Sequence, residues 1–175
     1  MDHDDHVRLI RGGLEGAGST WADLGSGTGA FTLALADLLG PTGVIHSVDR
    51  DAAALRTQAG AVHRRFPTTT LEQHVGDFTK PLDLPPLDGL VMANSLHFVR
   101  DKAPVLVLVH GLLRPGGHLV LVEYDADRGN PWVPFPISSR TWVGLATAAG
   151  FADTRELARV PSRFLGAIYS AISRR

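Results

Sequence analysis

The chain has 175 residues, of which 44% are hydrophobic and 20% charged, and its formal net charge at pH 7 is −1. This composition is typical of an ordinary globular protein, and it lacks the basic excess with which proteins bind nucleic acids or anionic membranes. Cysteine is absent, which excludes disulfides, thiolate metal sites and thiol nucleophiles. The first residues, MDHDDH, are acidic where a secretory signal is basic, so we expect a cytoplasmic protein.

Helical and strand-like segments alternate at short spacing along the chain, which is typical of an α/β fold with a mainly parallel sheet. An amphipathic helix precedes the first strand. The predicted strands lie at about 20–24, 44–48, 70–75, 89–93, 118–124, 152–157 and 163–170. Asp101 is the predicted cap of the helix after the fourth strand, and Ser138 or Ser139 that of a helix ending at Gly150.

The segment 23–29, DLGSGTG, ends the first strand and opens a helix. Gly25 and Gly27 let the backbone turn sharply, and they let a ligand approach atoms that a Cβ would cover. This pattern is typical of a loop that binds a nucleotide cofactor.

Polar residues follow the next three strands as well. Asp49 ends the second strand, where a carboxylate can accept both hydroxyls of a ribose. Asp77 ends the third and can accept from an exocyclic amine, while the Phe78 N–H can donate to a purine. Asn94 and His97 follow the fourth. Since ligands of open parallel sheets bind outside the carboxyl ends of the strands, we expect these residues to share one crevice.

Together these residues resemble the class I S-adenosylmethionine-dependent methyltransferases. Among these they resemble the small, single-domain enzymes similar to methyltransferase types 11 and 12. The family's glycine motif matches 23–29, its ribose-binding acid Asp49 and its adenine-contacting acid Asp77, and the stretch 112–119, LLRPGGHL, resembles its turn into strand five. The resemblance covers about residues 20–125. It implies a Rossmann-like, doubly wound α/β sheet of seven strands in the order 3-2-1-4-5-7-6, with strand 7 antiparallel, and S-adenosylmethionine as the cofactor.

The resemblance also implies one domain over 1–175. Its parts are an N-terminal helix (1–19), a cofactor-binding core (20–125), a loop (126–137) and a C-terminal helix and hairpin (138–175). The cofactor-binding residues predicted on this basis are Asp23, Gly25, Ser26, Gly27, Asp49, Arg50, Asp77, Phe78 and Asn94.

The predicted acceptor is a small molecule, methylated on an oxygen or an amine nitrogen. The Asn/Asp-Pro-Pro-Tyr motif with which some of these methyltransferases act on exocyclic or amide nitrogens is replaced by NSLH at 94–97, which disfavours a base or amide nitrogen as the acceptor. His97 is the predicted general base, with Tyr124 or Glu123 next.

Tyr124, Trp132 and Phe135 are predicted to bind the acceptor. The proline-rich segment 130–136 is predicted to form a stiff lid, and the alternative is a connector whose aromatic side chains pack on the core.

Two other functions fit parts of the pattern. Gly25, Gly27 and Ala30 also match a nicotinamide-cofactor fingerprint, but Asp23 is charged where that fingerprint is apolar, and the chain lacks a Tyr-x-x-x-Lys pair. The other is an S-adenosylmethionine-binding protein without catalytic activity.

We expect no metal site. His3 and His6 with their acidic neighbours belong to a terminus that we expect to fray, and the other histidines show no ligand spacing.

Only about 19 residues precede the first strand, too few to form a separate cap domain over the site. The site is therefore expected to be open, or closed by the N-terminal helix or by a second subunit of a homodimer.

Overall fold

The computed structural model describes residues 1–162 and 164–175, and in these residues seven strands form one sheet in the order β3-β2-β1-β4-β5-β7-β6. The strands are β1 (Thr20–Leu24), β2 (Val44–Asp49), β3 (Thr70–Val75), β4 (Leu87–Ala93), β5 (Leu113–Tyr124), β6 (Ala152–Pro161) and β7 (Ala167–Arg174). Neighbouring strands among β1 to β5 pair in parallel, and β7 is antiparallel to both β5 and β6. The predicted α/β fold class, strand order and orientation of strand 7 are confirmed.

Five helices cover the two faces of the sheet in the described part of the chain. They are α1 (His3–Leu14), α2 (Ala30–Leu39), α3 (Ala52–Arg65), α4 (Ala103–Leu112) and α5 (Ser139–Ala148). One apolar cluster joins α1 and α2 to the face of the sheet that carries Trp21, and α3 packs beside α2. The other cluster joins α4 and α5 to the opposite face around the fully buried Trp142. Within the described residues, none of these helices has both the length and the apolar character needed to span a membrane.

Side chains at the helix starts explain where three of the helices begin. The carboxylates of Asp2 and Asp51 and the hydroxyl of Ser138 each accept a backbone N–H from the first turn of the helix that follows. Such caps satisfy donors that have no partner inside the helix. At α4 the capping position belongs to Lys102, not to the predicted Asp101, whose carboxylate accepts from the Ala103 N–H at 3.3 Å.

The last strand begins later than predicted. The interval predicted from the sequence was 163–170, whereas β7 covers Ala167–Arg174, and residue 163 lies outside the described residues. The pairing with β5 explains the shift. It runs from Tyr124 opposite Ile168 to His118 opposite Arg174, and a strand ending at residue 170 would leave the first four residues of that buried stretch without antiparallel partners.

β5 begins earlier than predicted, at Leu113 directly after α4. Leu113 pairs with Leu87, and a register shift follows before His118 pairs with Gly89. The glycines between them bond to the end of the chain, since the Gly116 N–H donates to the Arg175 carbonyl and the Arg175 N–H to the Gly117 carbonyl. The predicted turn is therefore a bulged extension of the strand.

Candidate cofactor and acceptor site

The polar ends of β1, β2, β3 and β4 meet in one cleft, as predicted. Six of the nine predicted cofactor residues line it: Gly25, Asp49, Arg50, Asp77, Phe78 and Asn94. The structure adds Ser95 and Phe98, which the sequence analysis did not single out although both lie beside predicted residues. The parallel arrangement of the four strands brings these residues together.

The glycine turn is shaped by its neighbours on one side and is open on the other. At Gly25, where φ is +75°, an added Cβ would lie 2.5 Å from the Cβ of Ser95. Ser95 itself is held by a 2.8 Å hydrogen bond from its hydroxyl to the Leu24 carbonyl. At Gly27, where φ is +52°, an added Cβ would meet no atom within 4 Å. The turn therefore needs glycine for its conformation, and Gly27 leaves room for a ligand to approach the backbone.

Asp49 holds the glycine turn against the start of α3. Its Oδ2 accepts from the Gly27 N–H and its Oδ1 from the Asp51 N–H, both at 2.8 Å. Each carboxylate oxygen has a further lone pair, so the group can still accept from ligand hydroxyls. Asp49 therefore shapes the turn and keeps acceptor capacity at the cleft.

Asp77 and Asn94 present acceptors in the same cleft. Oδ1 of Asp77 accepts from the hydroxyl and the N–H of Thr79, and these bonds hold the pKa of the Asp77 carboxyl below its usual range. Asn94 has a φ of +52°, and its buried Oδ1 has no hydrogen-bond partner among the described residues. An orphaned acceptor in a cleft fits a ligand that donates hydrogen bonds. These residues fit a nucleoside cofactor with an amino-acid tail.

Asp23 and Ser26, two further predicted cofactor residues, lie behind the turn and not in the cleft lining. Asp23 Oδ2 accepts from the Thr32 hydroxyl at 2.6 Å, and Thr32 accepts from the Gln58 amide at 3.0 Å. Gln58 accepts from the Ser47 hydroxyl, whose oxygen lies 2.8 Å from that of Ser26. Burial raises the pKa of Asp23 to about 7. Both residues support the turn from inside the protein.

Gln58 was missed by the sequence analysis. The signal was present, since Leu55, Gln58 and Val62 follow one another at helical spacing and all three are buried. A polar residue on the apolar face of a helix indicates a buried hydrogen-bond network.

His97 lies beneath the cleft and not in its lining. Its Nδ1 lies 2.8 Å from Oε2 of the fully buried Glu123, and its backbone N–H donates to Oε1 at 3.0 Å. His97 itself is 3% exposed. The ring of Phe98, which does line the cleft, is centred 4.3 Å from the His97 ring. His97 and Glu123 therefore form a buried pair one layer below the cleft wall.

The groups around this pair are held in low-polarity surroundings. Burial lowers the pKa of Lys102, and the nearby Glu123 partly offsets that effect. Burial, and then the charge of Glu123, raise the pKa of Tyr124, which is therefore a neutral phenol at pH 7. A neutral phenol is a poor general base and a good hydrogen-bond donor.

The proline-rich loop is anchored by its aliphatic side chains. Val133 and Ile137 are buried, whereas Trp132 is 70% exposed. Asn130 Oδ1 accepts from the N–H groups of Trp132 and Val133, both at 2.9 Å, and the Phe135 N–H donates to the His97 carbonyl at 3.0 Å. The alternative in which the aromatic side chains pack into the core does not hold for Trp132.

Trp132 belongs instead to an aromatic row on the outside of the loop. Its ring is centred 6.0 Å from that of Phe164, which is centred 5.9 Å from that of Tyr124. Tyr124 in turn lies 6.1 Å from His97. Phe164 had no signal in the sequence, because its place in the row depends on the β6–β7 connection.

The chain resembles known methyltransferases in sequence and in fold. A family model described as "Methyltransferase domain" matches residues 16–148. Among solved structures, the N-methyltransferase NodS from Bradyrhizobium japonicum in complex with S-adenosyl-l-homocysteine superposes with a TM-score of 0.76 at 22% identity, over 98% of this chain and 85% of NodS. At that identity the likeness is one of fold.

Two curated relatives match parts of the chain. The 2-phytyl-1,4-naphtoquinone methyltransferase of Nostoc punctiforme is 28% identical over 109 residues, which are 62% of this chain and 47% of that protein. The hybrid PKS-NRPS synthetase lepA of Aspergillus flavus is 33% identical over 111 residues, 60% of this chain and 3% of that protein. The chain thus spans less than half the length of either relative. Because the family model covers most of it, the chain belongs to the methyltransferase domain family, whose class I members use S-adenosylmethionine.

Proposed function

We propose that this protein transfers the methyl group of S-adenosylmethionine to an oxygen or amine nitrogen of a small-molecule acceptor. The observation that carries the proposal is the convergence of Asp49, Asp77 and Asn94 beside the open backbone of Gly27. In this arrangement Asp49 would accept from the ribose hydroxyls, Asp77 from the adenine amine and Asn94 from the methionine end. The cofactor, when bound, supplies a methyl group already activated on a sulfonium.

The protein's own contribution to such a transfer is positioning and the exclusion of water. An in-line displacement needs the acceptor atom on the axis of the breaking carbon–sulfur bond, and holding it there can supply much of the rate acceleration. Phe78 and Phe98 place apolar surface in the cleft, where it would exclude water.

His97 would act as general base on an acceptor that is protonated at neutral pH. Because Nδ1 is paired with Glu123, Nε2 is the nitrogen left to take the proton. Glu123 would fix the tautomer and hold the ring, as second carboxylates do for other catalytic histidines. The low exposure of His97 favours a second candidate function, in which the protein binds the cofactor without turnover.

The aromatic row Tyr124–Phe164–Trp132 would bind the body of the acceptor. Flat aromatic faces favour flat or apolar ligands, and the Tyr124 hydroxyl adds a donor. The Nostoc relative is named for a naphthoquinone, which is a ligand of that shape. We therefore propose an acceptor with an aromatic or apolar body.

Calorimetry with S-adenosylhomocysteine and NADH tests the cofactor. We expect tight binding of the first and none of the second. In Asp49→Ala the affinity for S-adenosylhomocysteine should fall about 30- to 150-fold, which corresponds to the loss of about 2–3 kcal/mol of charge-assisted hydrogen bonds. Asp51→Ala is the matched control, since it removes a cap of about 1 kcal/mol from the same helix start without touching the cleft. Normal binding by a destabilised Asp49→Ala protein would leave Asp49 only its structural role.

Replacing Trp132 by alanine should raise the KM for the acceptor about tenfold and change the stability by less than about 0.5 kcal/mol, because the side chain is largely exposed. The measurement is transfer of labelled methyl to phenol and amine acceptors, with a melting curve of each variant. Trp142→Ala, at a fully buried tryptophan, is the contrasting variant and should cost about 3–5 kcal/mol. An unchanged acceptor KM in the Trp132 variant would remove the loop from the acceptor site.

A further inference from the structure

β2 and β3 bring three potential metal ligands together on one face of the sheet. His46 pairs with Glu72 in the parallel register, and His74 lies two residues further along β3. Because side chains two residues apart on a strand point to the same face, Glu72 and His74 both lie beside His46. Their ligand atoms are all within 4.8 Å of one another.

Two of the three distances within this cluster are close to those of a tetrahedral site. His46 Nδ1 lies 3.2 Å from His74 Nε2 and 3.4 Å from Glu72 Oε2. Zinc bonds of about 2.0–2.2 Å to nitrogen and oxygen, at tetrahedral angles, separate neighbouring ligand atoms by roughly 3.3–3.6 Å. The three atoms could therefore bind one ion with little movement.

Hydrogen bonds within the cluster can satisfy only some of its polar atoms. A single proton on His46 Nδ1 can be donated to His74 or to Glu72, but not fully to both. His46 is 3% exposed, so water has little access to satisfy the remaining contact. A cation between the three groups would satisfy all of them at once.

We propose that His46, Glu72 and His74 bind a zinc ion, with water as the fourth ligand. Two imidazoles and one carboxylate are a common zinc ligand set. The ion would clamp the edge strand β3 to β2. Asp49 and Asp77 each come three residues after one of the two histidines, so the clamp would brace both strand ends that line the cleft. The site stands apart from methyl transfer and does not depend on it.

Titration of chelator-treated, tag-free protein with zinc chloride tests the site. We expect one ion per chain with a Kd of about 1 μM or tighter, and a melting temperature about 5–10 °C higher at zinc concentrations near 100 times Kd. Cobalt in place of zinc should give the visible absorption of a tetrahedral complex. A Kd weaker than about 1 mM would overturn the proposal.

Variants locate the ion. His74→Ala and Glu72→Gln should each weaken zinc binding at least tenfold and remove the shift in melting temperature. Both positions are more exposed than His46, so these variants should still fold. His63→Ala, at an exposed histidine of α3, and His3→Ala, at the N-terminal cluster, should change neither. Binding that is lost in His3→Ala, or kept in both His74→Ala and Glu72→Gln, would overturn the proposal.

Discussion

Replacing His97 by alanine should lower the turnover of methyl transfer by about 100- to 10,000-fold, the usual contribution of a general base. The affinity for S-adenosylhomocysteine should stay near the wild-type value, because His97 lies under the cleft and does not line it. The measurement is the rate of labelled methyl transfer at saturating cofactor, with calorimetry of the same preparation. Glu123→Gln should also lower turnover, since one amide oxygen replaces the two carboxylate oxygens that accept from Nδ1 and from the backbone N–H of His97.

A merely structural His97 would behave differently. Its removal would leave Oε2 of the buried Glu123 without its imidazole partner, which would lower the melting temperature and reduce binding and turnover together. His110→Ala is the matched control, since this half-buried histidine packs edge-on against Phe151 far from the cleft. Turnover that survives His97→Ala would favour direct transfer to an unprotonated acceptor and remove the base from the mechanism.

Between pH 4 and pH 7, the free energy of unfolding of Asp23→Asn should rise by about 2–4 kcal/mol relative to that of the wild-type protein. Burial raises the pKa of Asp23 to about 7 in the folded protein, whereas an unfolded chain has the usual value near 4. Between these values the folded state holds the proton and the unfolded state has lost it. The stability that Asp23 contributes is therefore present below about pH 4 and is lost as the pH rises to about 7.

Asparagine cannot ionise but can still accept from the Thr32 hydroxyl, so the variant keeps the network and lacks the titration. Urea unfolding at several pH values gives the difference in unfolding free energy between the two proteins. That difference should move in favour of the variant as the pH rises from 4 to 7 and then level off. A difference for Asp23→Asn that does not vary between pH 4 and pH 7 would mean that Asp23 is ionised throughout this range.

The cleft could be predicted from the sequence because its parts are local. Asp49 is the last residue of β2, Asp77 comes two residues after β3, and Asn94 directly follows β4. The glycine turn directly follows β1. Parallel strands joined by helices must place these ends at one edge of the sheet. The alternation of elements, the strand order that the family resemblance implied, and the six residues lining the cleft therefore agree with the structure.

Only the tertiary structure decided which side chains face each other across the sheet. His46 and His74 are 28 residues apart and meet through the register of β2 and β3, as His97 meets Glu123 across β4 and β5. The register also placed β7 four residues later than its local pattern indicated. Local patterns indicate where a strand lies and which residues end it. The position of one strand along its neighbour depends on burial and pairing summed over the whole sheet, which no short stretch of sequence contains.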